Sequence, residues 1–440
     1  MFTLDEIAGI VGGELTGDGK IQVGGVSTDT RTIAKEELYL ALKGENFDGH
    51  DFIERVEGRN PVLHQEKEVS APSILVRDTL VAYGQLARAK RMNWGGKLVA
   101  VTGSSGKTST KEAISQLLQQ YAPTHRTEAN QNNEIGLPKT LLSLGDQKYA
   151  VVEMGMRAKG EILSLAKIAL PDIGLITNVG KAHIGRLGSM EAIRDAKGEL
   201  FEEVERLGGI KIANGDDPLC RELIEKFPNR KILFGFGENC TLRGEKLDAQ
   251  TFRVKDCLVS TSLPGEHHCL NALAAIAVGL ALDLPLPREL AFNPGSLPGR
   301  AQRISRGKTT LWDESYNANP DSMRAAIKSL FEQPGKKFLV LGEMGELGEH
   351  AEREHLGLGE FLSAFPVDLL VTVGPLADLY GKKAGCLHEN VPNRQEAAEK
   401  VLERISENAG PSQVLFKGSR STKMEEVLSM VLSTFESAPS

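Results

Sequence analysis

A glycine-rich turn that ends in a lysine and a threonine is the part of this 440-residue sequence best suited to chemistry. It lies in KLVAVTGSSGKTS, residues 97–109, between a short apolar run and the start of an amphipathic helix. The backbone N–H groups around Gly103 and Gly106 can close on phosphate oxygens, aided by the helix dipole. Lys107 supplies a mobile positive charge, and the Thr108 hydroxyl can ligate Mg²⁺. The segment therefore predicts a nucleotide-phosphate site of the compact form T-G-x-x-G-K-T.

Four more side chains, outside this turn, are candidates for the same site. Glu153 ends the run YAVVE and could hold Mg²⁺ from the end of a parallel strand. His183 follows the next apolar run, and its residue type fits a metal ligand and a structural histidine equally well. Lys197, in a helical stretch, has the pattern of a solvated charge. Arg300 fits a surface charge as well as a phosphate clamp.

Composition excludes several classes of function. A formal net charge of −7 argues against a general nucleic-acid or anionic-membrane surface, so phosphate binding must be local. The five cysteines are scattered and form no C-x-x-C pair, which is typical of reduced thiols. The N-terminus has no basic region followed by an apolar stretch, and no later run reaches membrane-spanning length. We therefore expect a cytoplasmic protein without membrane insertion.

The elements that position these side chains follow an α/β pattern in three parts. From residue 98 onward, apolar runs alternate with helical patterns at 107–120, 159–169 and 189–206, which predicts a doubly wound parallel sheet. Asn93–Gly96 and a Pro- and Gly-rich stretch at 285–299 interrupt this pattern and predict two joints. The expected domains are 1–94, 95–296 and 297–440.

Ten segments, which span essentially the whole chain, resemble the Mur ligase family of cell-wall amino-acid ligases. The phosphate-loop pattern is shared with folylpolyglutamate synthetase and indicates only the superfamily. Four segments are specific to a smaller group within the family, namely FDGHDF, DESYNANP, GEMGELGEH and KGSRSTKME. The ten segments are STDTR (27–31), ALKGENFDGHDFI (41–53), TGSSGKTS (102–109), NQNNEIGLP (130–138), VVEMGM (151–156), TNVGKAH (177–183), AKGELF (196–201), DESYNANPDSM (313–323), LGEMGELGEH (341–350) and KGSRSTKME (417–425).

The resemblance implies a fold and a reaction. The fold would have an N-terminal α/β domain that holds a UDP-sugar, a central ATP-binding domain and a C-terminal Rossmann-like domain. ATP would phosphorylate the C-terminal carboxylate of a UDP-N-acetylmuramoyl tripeptide, and the amine of D-alanyl-D-alanine would attack the acyl phosphate. ATP, two Mg²⁺ ions and a carbamylated lysine are the implied cofactors. The four more specific segments favour the D-alanyl-D-alanine-adding member, which we expect to act as a monomer in cytoplasmic peptidoglycan precursor synthesis.

The resemblance also implies roles for individual residues. Lys107, Lys197 and Arg300 would be catalytic, with Lys197 carbamylated so that it offers an anionic oxygen to the second Mg²⁺. The implied metal ligands are Thr108 and Glu153 on the first ion and His183 and Lys197 on the second. The implied nucleotide-binding residues are Gly103, Ser104, Ser105, Gly106, Lys107, Thr108, Ser109, Asn271, Arg300 and Asp313. The implied substrate-binding residues are Ser27, Asp29, Arg31, Phe47, His50, Asn132, Asn133, Asn317 and Asn319.

Two positions depart from the family pattern. His268 stands where the motif G-x-H-N-x-x-N has an asparagine near adenine, and Gly185 stands where many members carry a glutamate. Two other functions compete with the ligase. One is a non-catalytic protein that binds the UDP-muramoyl peptide, which the intact metal constellation disfavours. The other is a folylpolyglutamate synthetase-like ligase, which the N-terminal segments and DESYNANP disfavour.

Overall fold

The structure, a computed structural model, describes residues 2–44, 47–65, 69, 72–293 and 298–437. Its strands form a five-stranded, a seven-stranded and a six-stranded main sheet in chain order, with two smaller sheets. Helices cover these sheets, which is an α/β architecture. The predicted fold class, three α/β parts around a parallel phosphate-loop sheet, is confirmed.

The N-terminal sheet has the order β2-β7-β6-β5-β4, parallel except where β2 meets β7. The last helix of this part, α2, reaches the next part through Arg91, which donates to the Ala169 and Leu170 carbonyls and to Asp172. Its elements are β1 (Phe2–Thr3), α1 (Leu4–Val11), β2 (Glu14–Thr16), β3 (Gln22–Val23), β4 (Gly25–Ser27), β5 (Glu37–Leu40), a 3-10 helix (Gly49–Arg55), β6 (Val62–His64), β7 (Ser73–Leu75) and α2 (Thr79–Asn93).

The central sheet is entirely parallel, in the order β14-β13-β12-β11-β8-β10-β9. Strand β8 lies in its interior, between β11 and β10. The elements are β8 (Lys97–Thr102), α3 (Lys107–Gln119), β9 (Thr124–Arg126), α4 (Gly136–Leu142), β10 (Tyr149–Glu153), α5 (Glu161–Ala169), β11 (Ile173–Ile176), α6 (Ile184–Leu187), α7 (Met190–Arg206), β12 (Ile210–Asn214), α8 (Pro218–Glu225), β13 (Lys231–Gly235) and β14 (Leu242–Arg243).

Both faces of this sheet are buried. Leu98 and Ala100 of β8 point into one apolar cluster, and Val99 and Val101 point into another on the opposite face. Side chains alternate along a strand, so a strand covered on both faces reads as a continuous apolar run. That run delivers the glycine-rich turn to the carboxyl edge of the sheet.

A small four-stranded sheet and one long helix follow. The helix α9 begins at Glu266 and packs beside α3 on one face of the central sheet. The elements are β15 (Glu245–Lys246), β16 (Thr251–Val254), β17 (Cys257–Thr261), α9 (Glu266–Ala281) and β18 (Glu289–Phe292).

The C-terminal sheet has the order β19-β20-β24-β21-β22-β23, with only β19 antiparallel. Its elements are β19 (Gln302–Arg306), β20 (Thr309–Glu314), α10 (Pro320–Phe331), β21 (Lys336–Gly342), a 3-10 helix (Gly348–His350), α11 (Ala351–Leu362), β22 (Leu369–Val373), α12 (Asp378–Ala384), β23 (His388–Val391), α13 (Arg394–Glu407), β24 (Ser412–Lys417), a 3-10 helix (Arg420–Thr422) and α14 (Met424–Ser437).

Candidate active site

The glycine-rich turn occupies residues 103–106, between β8 and α3, as the sequence predicts. Gly103 has φ +154°, and a Cβ there would lie 1.8 Å from Oγ1 of Thr177, so this position needs glycine. Lys107 begins α3 and folds back, and its Nζ donates to the Gly103 carbonyl at 2.8 Å. Burial lowers the pKa of Lys107, an effect that the Glu153 carboxylate opposes.

A hydrogen-bonded carboxylate stands next to the turn. Thr108 donates to Oε2 of Glu153 at 2.7 Å, and Asn132 donates to Oε1 at 2.8 Å. The backbone N–H of Glu153 is held by Oγ1 of Thr127 at 3.1 Å. Because β8 and β10 are parallel neighbours, their carboxyl ends place Thr108 and Glu153 at the same edge. The predicted pairing of these two residues is therefore present in the geometry.

The loop after β11 borders the turn on its other side. Ser104 donates to the Gly180 carbonyl at 2.9 Å, and the N–H of Ser105 donates to Oδ1 of Asn178 at 2.9 Å. His183 ends this loop with φ +64°. Its Nδ1 lies 2.5 Å from Oε2 of Glu346, and His183 holds the pKa of that carboxyl below its usual value. Glu346 belongs to the C-terminal part of the chain.

Lys197 lies in α7 and is buried, not solvated as its pattern alone suggests. Burial, reinforced by the charge of Lys107, lowers the pKa of Lys197 well below its usual value. No described residue pairs with its ammonium group. A buried lysine without an anionic partner is rare because the charged form is costly there. Lys197 thus differs from an ordinary surface lysine.

The C-terminal part reaches the turn through Arg300. Its Nη1 donates to Oγ1 of Thr108 at 2.6 Å, and its guanidinium stacks on the Tyr316 ring at 3.8 Å from the centroid. From α9, Asn271 accepts a hydrogen bond from Thr110 at 2.9 Å. The residues beyond the second joint therefore meet the phosphate loop directly.

These elements enclose a cavity of about 860 Å³ between the central and C-terminal sheets. This volume lies within the range of about 300–1,000 Å³ that is typical of small-molecule and cofactor sites. Thr108 lies just behind the lining, in contact with Glu153 and Arg300. The predicted site residues that line the cavity are Ser104, Ser105, Gly106, Lys107, Ser109, Asn132, Asn133, Glu153, His183, Asn271, Arg300, Asn317 and Asn319.

The remaining predicted residues lie outside this lining. Asp313 is buried and accepts hydrogen bonds from the N–H groups of Gly299 and Ser315, so it fixes the joint in this structure. Its predicted contact with ribose stays a prediction. Gly103 and Lys197 are likewise not among the residues that line the cavity. Two residues that do line it, Asn319 and Asn133, accept hydrogen bonds through their side chains from the backbone N–H groups of Ser322 and Gly136.

The five predicted UDP-sugar residues lie in the N-terminal part. Arg31, an exposed side chain, forms a two-pronged ion pair with Asp29 at 2.9 and 2.7 Å, which lowers the pKa of Asp29 to about 2. Ser27 donates to the Asp29 carbonyl at 3.2 Å. Phe47 is exposed and stacks on Phe52. His50 is buried against Asp48, with Nδ1 and Oδ1 2.5 Å apart. None of these five residues lines the cavity described above, and their binding role stays a prediction.

Sequence reasoning missed several cavity and joint residues. Lys417 lines the cavity, is buried and donates to the Asn317 carbonyl at 3.0 Å. It ends strand β24, so the strand-end rule that found Glu153 could have found it too. His267, which the sequence analysis also missed, lines the cavity together with His268, the first departure from the family pattern. Burial lowers the pKa of His268 well below its usual value. The Nε2 atom of His268 is buried without a hydrogen-bond partner among the described residues.

One ion pair and two hydrogen bonds that the sequence analysis did not predict join the central and C-terminal parts around the cavity. Lys181 donates through Nζ to both carboxylate oxygens of Glu354 at 2.8 Å. The N–H of Lys181 also donates to Oδ2 of Asp321 at 2.8 Å. Gly185, the second departure from the family pattern, donates to the Glu346 carbonyl at 3.1 Å.

The described residues contain no cluster of three or more His, Cys, Asp and Glu that could hold a metal alone. Mg²⁺ commonly binds through one or two protein oxygens plus phosphates and waters, so the pair of Thr108 and Glu153 fits this ion. Among the described helices, none is both long and apolar enough to cross a membrane.

Comparison with known proteins places the chain in a family. The Mur ligase middle domain matches residues 101–279, and the Mur ligase glutamate ligase domain matches residues 299–420. UDP-N-acetylmuramoyl-tripeptide–D-alanyl-D-alanine ligases are 35% identical in Escherichia coli (strain K12) and 36% identical in Bacillus subtilis (strain 168). In both cases the match covers 97% of this chain and 97% of the relative.

Solved structures agree with the sequence matches. A crystal structure of MurF from Acinetobacter baumannii has a TM-score of 0.89 at 32% identity, over 98% of this chain and 99% of that one. MurF ligase from Thermotoga maritima in complex with ADP has a TM-score of 0.84 at 28% identity, over 94% and 98%. A folylpolyglutamate synthase from Mycobacterium tuberculosis shares only the fold, at 16% identity and a TM-score of 0.59 over 82% and 95%. The chain therefore belongs to the Mur ligase family, among the UDP-N-acetylmuramoyl-tripeptide–D-alanyl-D-alanine ligases.

Proposed function

We propose that this protein is an ATP-dependent ligase that joins D-alanyl-D-alanine to the C-terminal carboxylate of a UDP-N-acetylmuramoyl tripeptide, in peptidoglycan precursor synthesis. Full-length relatives at 35% and 36% identity carry this activity in their names. The observation that carries the proposal is the meeting of Lys107, Thr108, Glu153 and Arg300 at one edge of an interdomain cavity. ATP use is further supported by the ADP complex of the Thermotoga maritima structure.

The first chemical task is to let a carboxylate attack an anionic γ-phosphate. Lys107 and Arg300 supply positive charge at the turn, and the N-terminus of α3 adds its dipole. In this structure the guanidinium of Arg300 donates to the Thr108 hydroxyl. With nucleotide in place, we infer that Arg300 moves to the γ-phosphate and leaves that oxygen to a metal.

Mg²⁺, when bound, neutralises phosphate charge and orients the transferring group. Thr108 and Glu153 would hold one ion, because a hydroxyl and a buried carboxylate form a hard oxygen set. His183 would hold a second ion from the opposite side of the turn. Asn132 orients the Glu153 carboxylate by donating to Oε1.

We propose further that Lys197 is carbamylated. The uncharged amine that burial favours is the form that attacks CO₂, forming an N–C bond and releasing one proton. The resulting carbamate is an anion, whereas an ammonium group would repel Mg²⁺. This assignment rests on the family resemblance and on the unpaired, buried state of the side chain.

The acyl phosphate must then meet the amine of D-alanyl-D-alanine before water reaches it. The C-terminal part covers the cavity through Arg300, Asn317 and Lys417, which limits access of water. We assign residues 1–94 to UDP-sugar binding, with Ser27, Asp29, Arg31, Phe47 and His50 as contacts. Residues 95–296 would bind ATP, and residues 297–440 would close on it.

Phosphate release tests the proposal. The purified chain should release phosphate from ATP only when a UDP-N-acetylmuramoyl tripeptide and D-alanyl-D-alanine are both present, and the product should gain the mass of the dipeptide. Tripeptides with different third residues would identify the acceptor. Tight binding of the peptide without release would favour a non-catalytic binding protein, and glutamate-dependent release with a folate would favour a folylpolyglutamate synthetase.

A further inference from the structure

A short segment of the C-terminal part lies directly on the loop that carries His183. Oε2 of Glu346 lies 2.5 Å from Nδ1 of His183, and the Glu346 carbonyl accepts the N–H of Gly185 at 3.1 Å. Both the side chain and the backbone of Glu346 are thus committed to the central part. His183 itself lines the cavity, and its second ring nitrogen, Nε2, is not part of this contact.

This contact depends on a glycine. A Cβ on Gly185 would lie 2.3 Å from the backbone nitrogen of Gly348, closer than atoms can approach. Backbone atoms, not flexible side chains, form most of this contact, so a larger residue could not be accommodated by a rotamer change. Gly185 therefore permits the C-terminal segment to reach His183.

Backbone conformation shows that the contact is held against strain. His183 has φ +64° and Glu346 has φ +60°, and both are non-glycine residues in the left-handed region. Such residues are uncommon and cluster at sites where the surroundings fix them. Here both partners of one interdomain contact are strained.

A histidine that binds a metal through one ring nitrogen usually presents the other to a carboxylate, which fixes the tautomer and the ring orientation. We propose that Glu346 is a positioning residue for His183, delivered by domain closure, so that the second metal site of the proposed ligase is completed only when the C-terminal part closes. The proposal rests on the proposed function for the identity of the metal. In this family member, the closing domain itself supplies the outer carboxylate.

The distance between the two side chains is compatible with this role. Nδ1 of His183 lies 2.5 Å from Oε2 of Glu346, although Nδ1 makes no aligned hydrogen bond with a described residue in this structure. A rotation of the ring about its Cβ–Cγ bond would direct Nδ1–H at the carboxylate. Glu346 then accepts this hydrogen, and Nε2 keeps the lone pair that a metal requires.

Mn²⁺ binding tests the proposal independently of turnover. Mn²⁺ would be titrated by electron paramagnetic resonance into the full chain with a non-hydrolysable ATP analogue and UDP-muramoyl tripeptide, and His183→Ala would identify the His183-dependent site. Glu346→Ala should weaken that site by about 10- to 100-fold. Glu346→Gln should weaken it less, because the amide oxygen still accepts. Glu349→Gln, a change of an exposed carboxylate in the same segment, should bind as the parent does.

Gly185→Ala tests the same contact without removing any charge. It should weaken Mn²⁺ binding as Glu346→Ala does, and the double variant should be no weaker than either single variant. Unchanged Mn²⁺ affinity in Glu346→Ala, unchanged affinity in His183→Ala, or additive losses in the double variant would overturn the proposal. Parent protein that binds Mn²⁺ in this pattern but makes no ligated product would refute the proposed function and leave the role of Glu346 standing.

Discussion

Replacing Lys181 with methionine should open the molecule. Lys181 follows β11 in the central part, and its Nζ donates to both oxygens of Glu354 on α11 at 2.8 Å. The Glu354 side chain is 4% exposed and the Lys181 side chain is 32% exposed. Methionine is unbranched and only one heavy atom shorter than lysine but carries no charge, so the buried carboxylate of Glu354 loses its main partner.

The structure sets the size of the effect. Removing one partner of a fully buried ion pair costs about 3–5 kcal/mol, because a charge is left unpaired. Lys181 is one-third exposed, and Arg353 stays 3.4 Å from Glu354, so we reduce the expected cost to about 1–3 kcal/mol. The unpaired Glu354 carboxylate can be hydrated again if the C-terminal part moves away from the central part, which favours the open form. The closed form should therefore lose about 5- to 150-fold in population relative to the open form.

Small-angle scattering and phosphate release measure this change. With a non-hydrolysable ATP analogue and UDP-muramoyl tripeptide, Lys181→Met should have a larger radius of gyration than the parent and a lower kcat/KM. Adding Glu354→Gln should recover part of both losses, because no charge is then left unpaired. Lys226→Met, which removes an exposed pair with Asp195, is the matched control. A compact, fully active Lys181→Met protein, or a double variant as impaired as the single one, would refute the reasoning.

Three further substitutions test the site. Lys107→Ala should lower phosphate release by about 10²- to 10³-fold while calorimetry shows nearly unchanged binding of UDP-muramoyl peptide, because the lysine acts on the transferring phosphoryl group; near-full activity would exclude the phosphate-loop assignment. Arg300→Ala should lose turnover far more than peptide binding in the same two assays, and equal losses in both would argue against a γ-phosphate role. Lys197→Arg should be as inactive as Lys197→Ala in phosphate release, because arginine keeps a charge but cannot be carbamylated; an active arginine variant, or a bare ammonium in a crystal grown at high bicarbonate, would contradict the carbamate.

The sequence predicted those parts of the site that follow from local order along the chain. Glu153 ends one strand of the parallel sheet, and Lys107 and His183 follow two neighbouring strands, so their positions at the strand ends were enough to predict that they share one edge. Lys197 carried no such signal, because its burial depends on how α7 packs. Its pattern suggested a solvated charge, which was wrong, and only the family resemblance singled it out.

The contacts between the central and C-terminal parts around the cavity could not be predicted from the sequence, for a physical reason. Arg300 and Thr108 are 192 residues apart, and Lys181 and Glu354 are 173 residues apart. No periodicity relates such positions, since their proximity depends on how one folded sheet docks on another. In the sequence, Gly185 was only a departure from the family pattern. The structure shows that Gly185 approaches the backbone of Gly348 so closely that only glycine fits.

The division of the site between two parts of the chain separates nucleotide binding from chemistry. The turn, Thr108 and Glu153 are held by hydrogen bonds within the central sheet, so they need no contribution from the C-terminal part. Arg300 and Glu346, by contrast, reach the same site from the C-terminal part of the chain. We infer that ATP can bind before closure, whereas phosphoryl transfer waits for it. Because closure also limits access of water to the cavity, the acyl phosphate would form only where hydrolysis is disfavoured.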